Sequence, residues 1–292
     1  MRTLKLTIAY DGTRYAGWQV QKARRQTSAR PPGPTRTKAG AGGDQARRAG
    51  DVRRQKRQAP TIQGTLEAVL SRILQERVRV VGSGRTDAGV HALAQVAHVK
   101  TRTTMLAQRL LRAVNALLPH DVAVLQIEDP RGPFHARFDA VTKRYRYRIV
   151  TGPVLSPFVR PYAMHVRVPL NVALMRREAA ALAGRHDVRA FVRAPTPKSL
   201  VWGRASRRGG GTIRTITRVS LRRQKDEIHL EIEGTGFLHT MVRSIAGTLV
   251  DIGRGRLPAG TIRRMLRTGN RRLAGTTAPA QGLALVYVGY RH

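Results

Sequence analysis

The sequence predicts an α+β fold made of two similar domains, each a mostly antiparallel sheet with helices packed on one face. Segments with an apolar residue at every second position, typical of half-buried strands, alternate with segments whose apolar residues recur every three to four positions, typical of amphipathic helices. The order of these segments in residues 1–139 is similar to the order in residues 140–292. We therefore predict one domain in each half of the chain.

The first predicted domain begins with a strand whose apolar face comprises Leu4, Leu6 and Ile8. A helix follows, with Thr61 as its expected N-cap. Its apolar stripe comprises Ile62, Leu66, Val69, Leu70, Ile73 and Leu74. Short strands are expected at 78–81 and 95–99. A second amphipathic helix is expected to end at Pro119, and a strand follows over 121–129.

The second predicted domain repeats this order of elements. It begins with a strand over 143–150, on which Tyr145, Tyr147 and Ile149 share one face. A helix over 170–184 is expected to stop at Gly184. The remaining predicted elements are an antiparallel pair of strands over 212–223 and 227–234, a helix over 237–253 and a final strand over 283–290.

Residues 22–59 differ in composition from the rest of the chain. They contain twelve Lys and Arg and two Asp, no aromatic residue, and Val52 as the only apolar residue larger than Ala. Such a segment cannot bury enough apolar surface to offset the entropy of ordering, which predicts a disordered basic insertion. We expect it to add non-specific contacts to phosphate groups. Residues 195–211, which end in three glycines, predict a second flexible basic loop.

The charge balance indicates a polyanionic partner. Fifty-four Lys and Arg against 17 Asp and Glu give a formal net charge of +37, and the insertion supplies only ten of these charges. A surface this basic favours nucleic acid, because each neutralised phosphate releases counterions. A solvated basic surface and attraction to acidic lipid are the alternatives. No amphipathic basic anchor helix supports the lipid alternative.

The absence of cysteine narrows the chemistry. It excludes disulfides, thiolate zinc sites and a cysteine nucleophile, and it is compatible with a reducing cytoplasm. The nine histidines form no HExxH or similar pair, so no metal site is expected. No run of about 18 apolar residues occurs, and residues 1–10 lack the features of a signal peptide. We expect a cytoplasmic protein without a membrane span.

A glycine-rich loop over 82–89, with the sequence GSGRTDAG, raises a specific question of function. A dinucleotide-binding loop has a third glycine where this chain has Asp87, whose charge would repel a pyrophosphate. The residues that follow, 95–99, are predicted as a strand and not as a helix. Taken alone, the loop is equally compatible with a structural turn and with a site that presents Asp87. A basic surrounding favours the ionised carboxylate that a nucleophile or base requires.

The motif GRTDAGVHA around Asp87 resembles the defining motif of the TruA family of pseudouridine synthases. Four further segments are similar to that family in the same order: YDGTRYAGWQVQ (10–21), FHARFDAVTKRYRYRI (134–149), GTGFLHTMVRSIAG (234–247) and PAQGLALVYVGY (279–290). The resemblance covers nearly the whole chain apart from residues 22–59 and 195–211, which are longer than in typical members.

The resemblance implies roles for four residues. Asp87 is implied to be the nucleophile that attacks C1′ of a uridine, or that promotes glycal formation by taking the C2′ proton. Arg85 is implied to hold the flipped nucleotide or to fill the space that it leaves, with a phosphate clamp as the alternative. Tyr145 is implied to stack on the detached uracil, with a core position as the alternative. Arg243 is implied to orient Asp87 through an ion pair, with a plain surface charge as the alternative.

The resemblance also implies substrate and assembly. The family isomerises uridine to pseudouridine in the anticodon arm of tRNA, at positions 38–40, as a homodimer with the active-site cleft between the two domains. No cofactor or metal is implied, because isomerisation neither gains nor loses electrons. Trp18 is compatible both with stacking on RNA and with a place in the core. His91 and His239 lie near the motifs, and we interpret both as structural.

A catalytically inactive RNA-binding or RNA-chaperone protein on the same fold is the main alternative function. The presence of Asp87, Tyr145 and Arg243 together argues against it. Uridine methyltransferases are excluded because they require a cysteine nucleophile, and zinc deaminases because the HxE and PCxxC motifs are absent.

Overall fold

The computed structural model of this protein describes residues 1–20, 59–192 and 211–291. Within these ranges the strands are β1 (Arg2–Tyr10), β2 (Val80–Gly82), β3 (His91–Thr101), β4 (Val122–Glu128), β5 (Ala140–Thr151), β6 (Met164–Val166), β7 (Gly184–Asp187), β8 (Ile213–Gln224), β9 (Glu227–Gly234) and β10 (Leu283–Tyr290). The α-helices are α1 (Ile62–Leu74), α2 (Ala107–Leu117), α3 (Val172–Ala180), α4 (Met241–Gly253) and α5 (Thr261–Thr268).

Eight strands form one continuous sheet in the order β4-β1-β3-β10-β5-β9-β8-β7, with β2 paired to β3 and β6 paired to β5. Neighbours along the eight-strand order are antiparallel except β3 and β10, which are parallel over two residue pairs, Ala284 with His91 and Leu285 with Ala92. The prediction of an α+β fold with a mostly antiparallel sheet is confirmed, and the two predicted half-sheets are joined edge to edge by β3 and β10.

The two faces of the sheet differ in polarity, as expected when side chains alternate along strands. On β5, Tyr145, Tyr147 and Ile149 are buried on the face that packs against the helices. On the opposite face, ion pairs join β5 to β9: Arg144 with Glu233, Arg146 with Glu231 and Arg148 with Glu227. Most buried apolar residues of both halves belong to one continuous core beneath the helices, and Val150, Leu155 and Ala163 form a small separate cluster.

The elements predicted for the first half are all present, although the strand predicted over 95–99 begins earlier, at His91. Leu4, Leu6 and Ile8 are fully buried on β1. Thr61 is the N-cap of α1, where its hydroxyl oxygen accepts a hydrogen bond from the Gly64 N–H at 3.2 Å. Helix α2 ends at Leu117 because Leu118, the residue before Pro119, is extended.

Two helix boundaries predicted for the second half are wrong. Helix α4 begins at Met241 and not at Phe237, because Thr240 is left-handed (φ 59°) and the Met241 N–H donates to the Leu238 carbonyl, closing a turn. Helix α3 ends at Ala180 and not at Gly184, which begins β7 with a φ of 113°. Helix α5 was not predicted, since only Thr261, Ile262 and Met265 of its eight residues are buried.

The predicted insertion lies outside the described residues apart from Ala59, and the predicted loop over 195–211 lies outside them apart from Gly211. The division of the chain between residues 139 and 140 coincides with the start of β5, and it stays a prediction.

Candidate active site

Asp87 lies in the loop over residues 83–90 that connects β2 to β3, called the Asp87 loop below. The loop is anchored from beneath at Thr86. The Thr86 carbonyl accepts a hydrogen bond from the Trp18 N–H at 3.1 Å. The Thr86 hydroxyl lies 2.8 Å from the Tyr10 hydroxyl. Gly17, with a φ of 91°, packs so closely that a Cβ there would lie 2.6 Å from the Thr86 oxygen. Residues that precede the insertion therefore support a loop that follows it.

Trp18 belongs to the core and does not face solvent. Its side chain is buried, and its ring packs against Gly82 at the end of β2, where a Cβ would lie 2.5 Å from the indole. This position excludes stacking on RNA, one of the two interpretations that the sequence left open. Trp18 instead supports the strand that leads into the Asp87 loop.

The structure brings Arg243 to Asp87 from the other half of the chain. The Arg243 Nη1 lies 3.2 Å from the Asp87 Oδ2, and its Nε donates to the Ala278 carbonyl at 2.8 Å. The two charged side chains are each about one-fifth exposed. A partly buried ion pair that is fixed at a second point restricts the orientation of the carboxylate. Arg243 is thus not a plain surface charge.

His239 also contacts Asp87, with Nε2 at 3.4 Å from Oδ1. Its side chain is 69% exposed, and it projects from the loop that precedes α4. The interpretation of His239 as structural stays a prediction, although the structure places this side chain at the surface beside Asp87. His91, by contrast, is buried and has structural contacts: Nδ1 accepts from the Gly12 N–H at 3.1 Å.

A pocket of about 340 Å³ opens beside Asp87, called the Asp87 pocket below. Tyr145 forms part of its wall, where its ring packs edge-on against Phe237 with centroids 5.0 Å apart. Burial raises the pKa of Tyr145, and the charge of Asp87 adds to the effect, so its hydroxyl stays protonated at neutral pH. The lining residues also include Gly84, Arg85, Lys143, Leu238, His239 and Leu283.

Tyr145 and Tyr147 share a strand face but have different surroundings. Tyr147 is fully buried, and its hydroxyl donates to the Pro279 carbonyl at 2.8 Å. A Cβ at Gly282 would lie 2.6 Å from its ring. Tyr147 is accordingly a core residue, whereas Tyr145 faces the Asp87 pocket.

Arg85 lies on the exposed part of the Asp87 loop and lines the same pocket as Asp87. Burial, with a further contribution from the charge of Arg85, lowers the pKa of Arg137. Arg85 and Arg137 therefore form a positive environment at the pocket entrance, and this environment attracts the phosphate groups of RNA.

Lys143 is a pocket residue that the sequence analysis missed. Its Nζ donates to the Ser83 carbonyl at 2.7 Å. Burial, followed by the charge of Arg137, lowers the pKa of Lys143 to about 8. In the sequence it stands in a run of alternating basic and tyrosine residues, and only its place on the same strand face as Tyr145 distinguishes it from its neighbours.

The geometry excludes a dinucleotide-binding loop. Such a loop places its glycines at the N-terminus of a helix, but the Asp87 loop leads into strand β3. Within the described ranges, no group of three or more His, Asp or Glu side chains is placed to hold a metal ion. None of the helices in those ranges is long and apolar enough to cross a membrane.

A second cavity of about 480 Å³ lies on the opposite face of the sheet. Its lining includes Asp11, His91, Arg146, Arg148 and His229. Asp87, Arg85, Tyr145 and Arg243 are not among the described residues that line it. Because reactive groups must converge on one space, the smaller Asp87 pocket is the candidate active site.

Comparison with known proteins agrees with this site. The family model for tRNA pseudouridine synthase matches residues 48–139 and 179–291. Relatives called tRNA pseudouridine synthase A are 40% identical over 291 residues in Pelobacter propionicus, 35% over 290 residues in Thermoanaerobacter sp. strain X514 and 38% over 284 residues in Halalkalibacterium halodurans. The alignments cover 97–99% of this chain and 90–100% of the three relatives.

The chain belongs to the tRNA pseudouridine synthase family. The predicted family and the predicted enzyme class, an isomerase that acts on tRNA, are confirmed by this membership.

Proposed function

We propose that this protein isomerises uridine to pseudouridine at positions 38–40 in the anticodon arm of tRNA, with Asp87 as the nucleophile. One observation carries the proposal: the Asp87 carboxylate is held by Arg243 at the edge of a pocket whose wall includes Tyr145. A fixed carboxylate at the edge of a pocket suits a reaction in which the base must leave its sugar without leaving the enzyme.

Asp87 has two routes to break the glycosidic bond. The carboxylate attacks C1′ and forms a covalent sugar ester, or it takes the C2′ proton and produces a glycal. In either route the C1′–N1 bond breaks and the uracil turns. C5 then bonds to C1′ as the ester bond to Asp87 breaks, or as the C2′ proton returns to the glycal, and C5 loses its proton while N1 gains one. The Arg243 contact supports both routes, since each requires one carboxylate orientation at a fixed sugar.

Tyr145 and Arg85 are assigned to the nucleotide. The flat ring of Tyr145, in the pocket wall, stacks on the detached uracil and retains it while it turns. Uridine within a stem must first be extruded, at a cost of a few kcal/mol. Arg85, exposed at the pocket entrance, holds the extruded nucleotide or occupies the gap that it leaves in the stem.

The proposal includes the assembly and the compartment. A net charge of +37 means that basic residues extend well beyond the pocket, and a folded tRNA requires a binding surface of that extent. We infer a homodimer, in which two copies together present that surface, and a cytoplasmic location.

Transcribed tRNA that carries uridine singly at position 38, 39 or 40 tests the substrate. Pseudouridine is expected at each of these positions after incubation with the full chain, and a transcript with cytidine at all three serves as the control. Pseudouridine at other positions alone would contradict the anticodon-arm assignment. Tight tRNA binding without any pseudouridine would instead support the inactive RNA-binding alternative. An equilibrium mass equal to one chain, with or without tRNA, would contradict the homodimer.

A further inference from the structure

Lys143 places an ammonium group in the wall of the Asp87 pocket. It precedes Tyr145 by two residues on β5, so both side chains project from the same face of the sheet. Both residues line the pocket. The Lys143 Nζ lies 2.7 Å from the Ser83 carbonyl oxygen, and a Cβ at Gly84 would lie 3.2 Å from Nζ. The lysine is therefore packed directly against the backbone of the Asp87 loop.

The surroundings of this ammonium oppose its charge. Burial lowers the pKa of Lys143 to about 8, and the nearby Arg137 acts in the same direction. The strands on either side of β5 place Gly234 and Val288 opposite Lys143, and neither carries a charge. The other titratable side chains in the pocket wall are Arg85, Asp87, His239 and Tyr145. A lysine that is buried beside a second cation, in the wall of a pocket, indicates a functional use for its charge.

Isomerisation creates the negative charge that this cation suits. When the C1′–N1 bond breaks, its electron pair stays with the ring, and the uracil is an anion until C5 bonds to C1′. C5 then loses its proton and N1 gains one, so that the product is an isomer of the substrate. By then Asp87 is an ester in one route and a protonated acid in the other, so it offers no positive charge to the ring, and Arg243 is fixed beside it and at the Ala278 carbonyl. A fixed cation in the pocket wall stabilises the ring anion where it forms.

We propose that Lys143 stabilises the detached uracil anion through its charge, as a substrate-facing residue that acts together with Asp87. This proposal rests on the proposed isomerase function. The ammonium has three N–H donors, more than its contact with Ser83 uses, and the ring carbonyl oxygens are suitable acceptors. Lys143 thereby lowers the energy of the intermediate and affects turnover more than tRNA binding.

Three variants test the charge of Lys143. In Lys143→Met the side-chain length is kept and the charge is removed, and kcat is expected to fall on the order of 100-fold with a far smaller change in KM. In Lys143→Arg the charge is kept, and kcat is expected to stay within about tenfold of wild type. Lys100→Met removes an exposed charge at the far end of β3 and should leave kcat unchanged. Urea unfolding of each variant verifies that it is folded.

The pH dependence separates a charge role from a positioning role. A neutral amine still donates to the Ser83 carbonyl, so deprotonation removes the charge and keeps that contact. Because kcat/KM reports the free enzyme, it is expected to fall as the pH rises through about 8 in wild type. In Lys143→Arg, kcat/KM should stay constant over the same pH range. Ionisation of the uracil N3–H in alkaline solution affects both proteins equally and cancels in the comparison.

The outcomes distinguish this proposal from the proposed function. A wild-type protein that releases no tritium from tRNA labelled at uracil C5 contradicts the isomerase function itself. Active wild type with an unchanged kcat in Lys143→Met overturns the Lys143 proposal alone. An identical alkaline fall of kcat/KM in wild type and Lys143→Arg also overturns it. The comparison of wild type with Lys143→Arg tests the Lys143 proposal even if Lys143→Met does not fold.

Discussion

The Arg243 Nη1 lies 3.2 Å from the Asp87 Oδ2, although the two residues are 156 positions apart in the chain. Asp87 comes from the β2–β3 loop of the first half, and Arg243 comes from the first turn of α4 in the second half. The ion pair therefore spans the junction that β3 and β10 form in the sheet. The candidate site exists only when both halves of the chain are folded against each other.

Arg243 makes two contacts that no other side chain can reproduce together. Arg243→Lys retains a charge beside Asp87 but loses the planar fork that also reaches the Ala278 carbonyl. We expect kcat to fall about tenfold in Arg243→Lys and on the order of 100-fold or more in Arg243→Gln, because the carboxylate is no longer held. Single-turnover rates with saturating enzyme measure this. Arg263→Lys, on the exposed face of α5, is the matched control and should turn over like wild type.

Tyr145 and Tyr147 should respond oppositely to substitution. Tyr147→Phe deletes a buried hydroxyl that donates to the Pro279 carbonyl, so the free energy of unfolding should fall by about 1 kcal/mol with little change in kcat. Tyr145→Leu removes the ring that faces the pocket, so kcat should fall at least tenfold in a variant that urea unfolding shows to be folded. Urea unfolding and turnover, measured on both variants, test these two assignments. A larger turnover loss in Tyr147→Phe would reverse the assignment.

Gly17 supports the Asp87 loop through its close approach to Thr86. In Gly17→Ala the new methyl group would meet the Thr86 oxygen at 2.6 Å, and a φ of 91° is unfavourable for alanine. We expect a loss of about 2 kcal/mol in stability and a kcat at least tenfold lower, because the loop must shift. Gly132→Ala is the control, since its methyl group has no neighbour within 4 Å among the described residues. Equal effects of the two substitutions would refute this account.

His98 should make the fold sensitive to acid. Burial lowers the pKa of His98 to about 4, and its Nδ1 accepts from the Ala136 N–H at 3.1 Å, which requires the neutral ring. Between pH 6.5 and 4 the unfolded chain binds a proton on this residue that the folded chain does not. Stability should therefore fall as the pH drops through that interval, by about 3 kcal/mol for this residue.

Urea unfolding at pH 7 and pH 4.5 measures the acid sensitivity. In His98→Gln the loss between the two values should be smaller than in wild type, although the variant itself is less stable at pH 7. His120→Gln, which changes an exposed histidine, should show the wild-type loss. If His98→Gln loses as much stability between pH 7 and pH 4.5 as wild type does, the acid sensitivity belongs to other groups.

Much of the fold could be predicted because its periodicities are regular. The alternation at Leu4, Leu6 and Ile8 and the stripe that begins at Ile62 each matched the buried face of an element. The start of α4 could not be predicted, because the apolar Phe237 and Leu238 extend the helical pattern across a turn. That turn depends on a left-handed Thr240, which periodicity does not reveal.

The candidate site was predictable where a motif carried it. Asp87, Arg85, Tyr145 and Arg243 were named from the sequence, and the structure places them around one pocket or in direct contact with its carboxylate. Lys143 was missed and His239 was interpreted as structural, because their proximity to Asp87 arises from contacts made in three dimensions. The choice between Tyr145 and Tyr147 also required the structure, since both occupy the same strand face.

The most direct test of the central claim compares wild type with Asp87→Ala on tRNA that carries tritium at uracil C5. When C5 bonds to C1′, the covalent bond between C5 and tritium breaks and the tritium is released to water. We expect release by wild type, none by Asp87→Ala, and equal tRNA binding by both. Release by Asp87→Ala at the wild-type rate would show that Asp87 is not the nucleophile. No release by either protein, with binding retained, would show that the protein binds RNA without isomerising uridine.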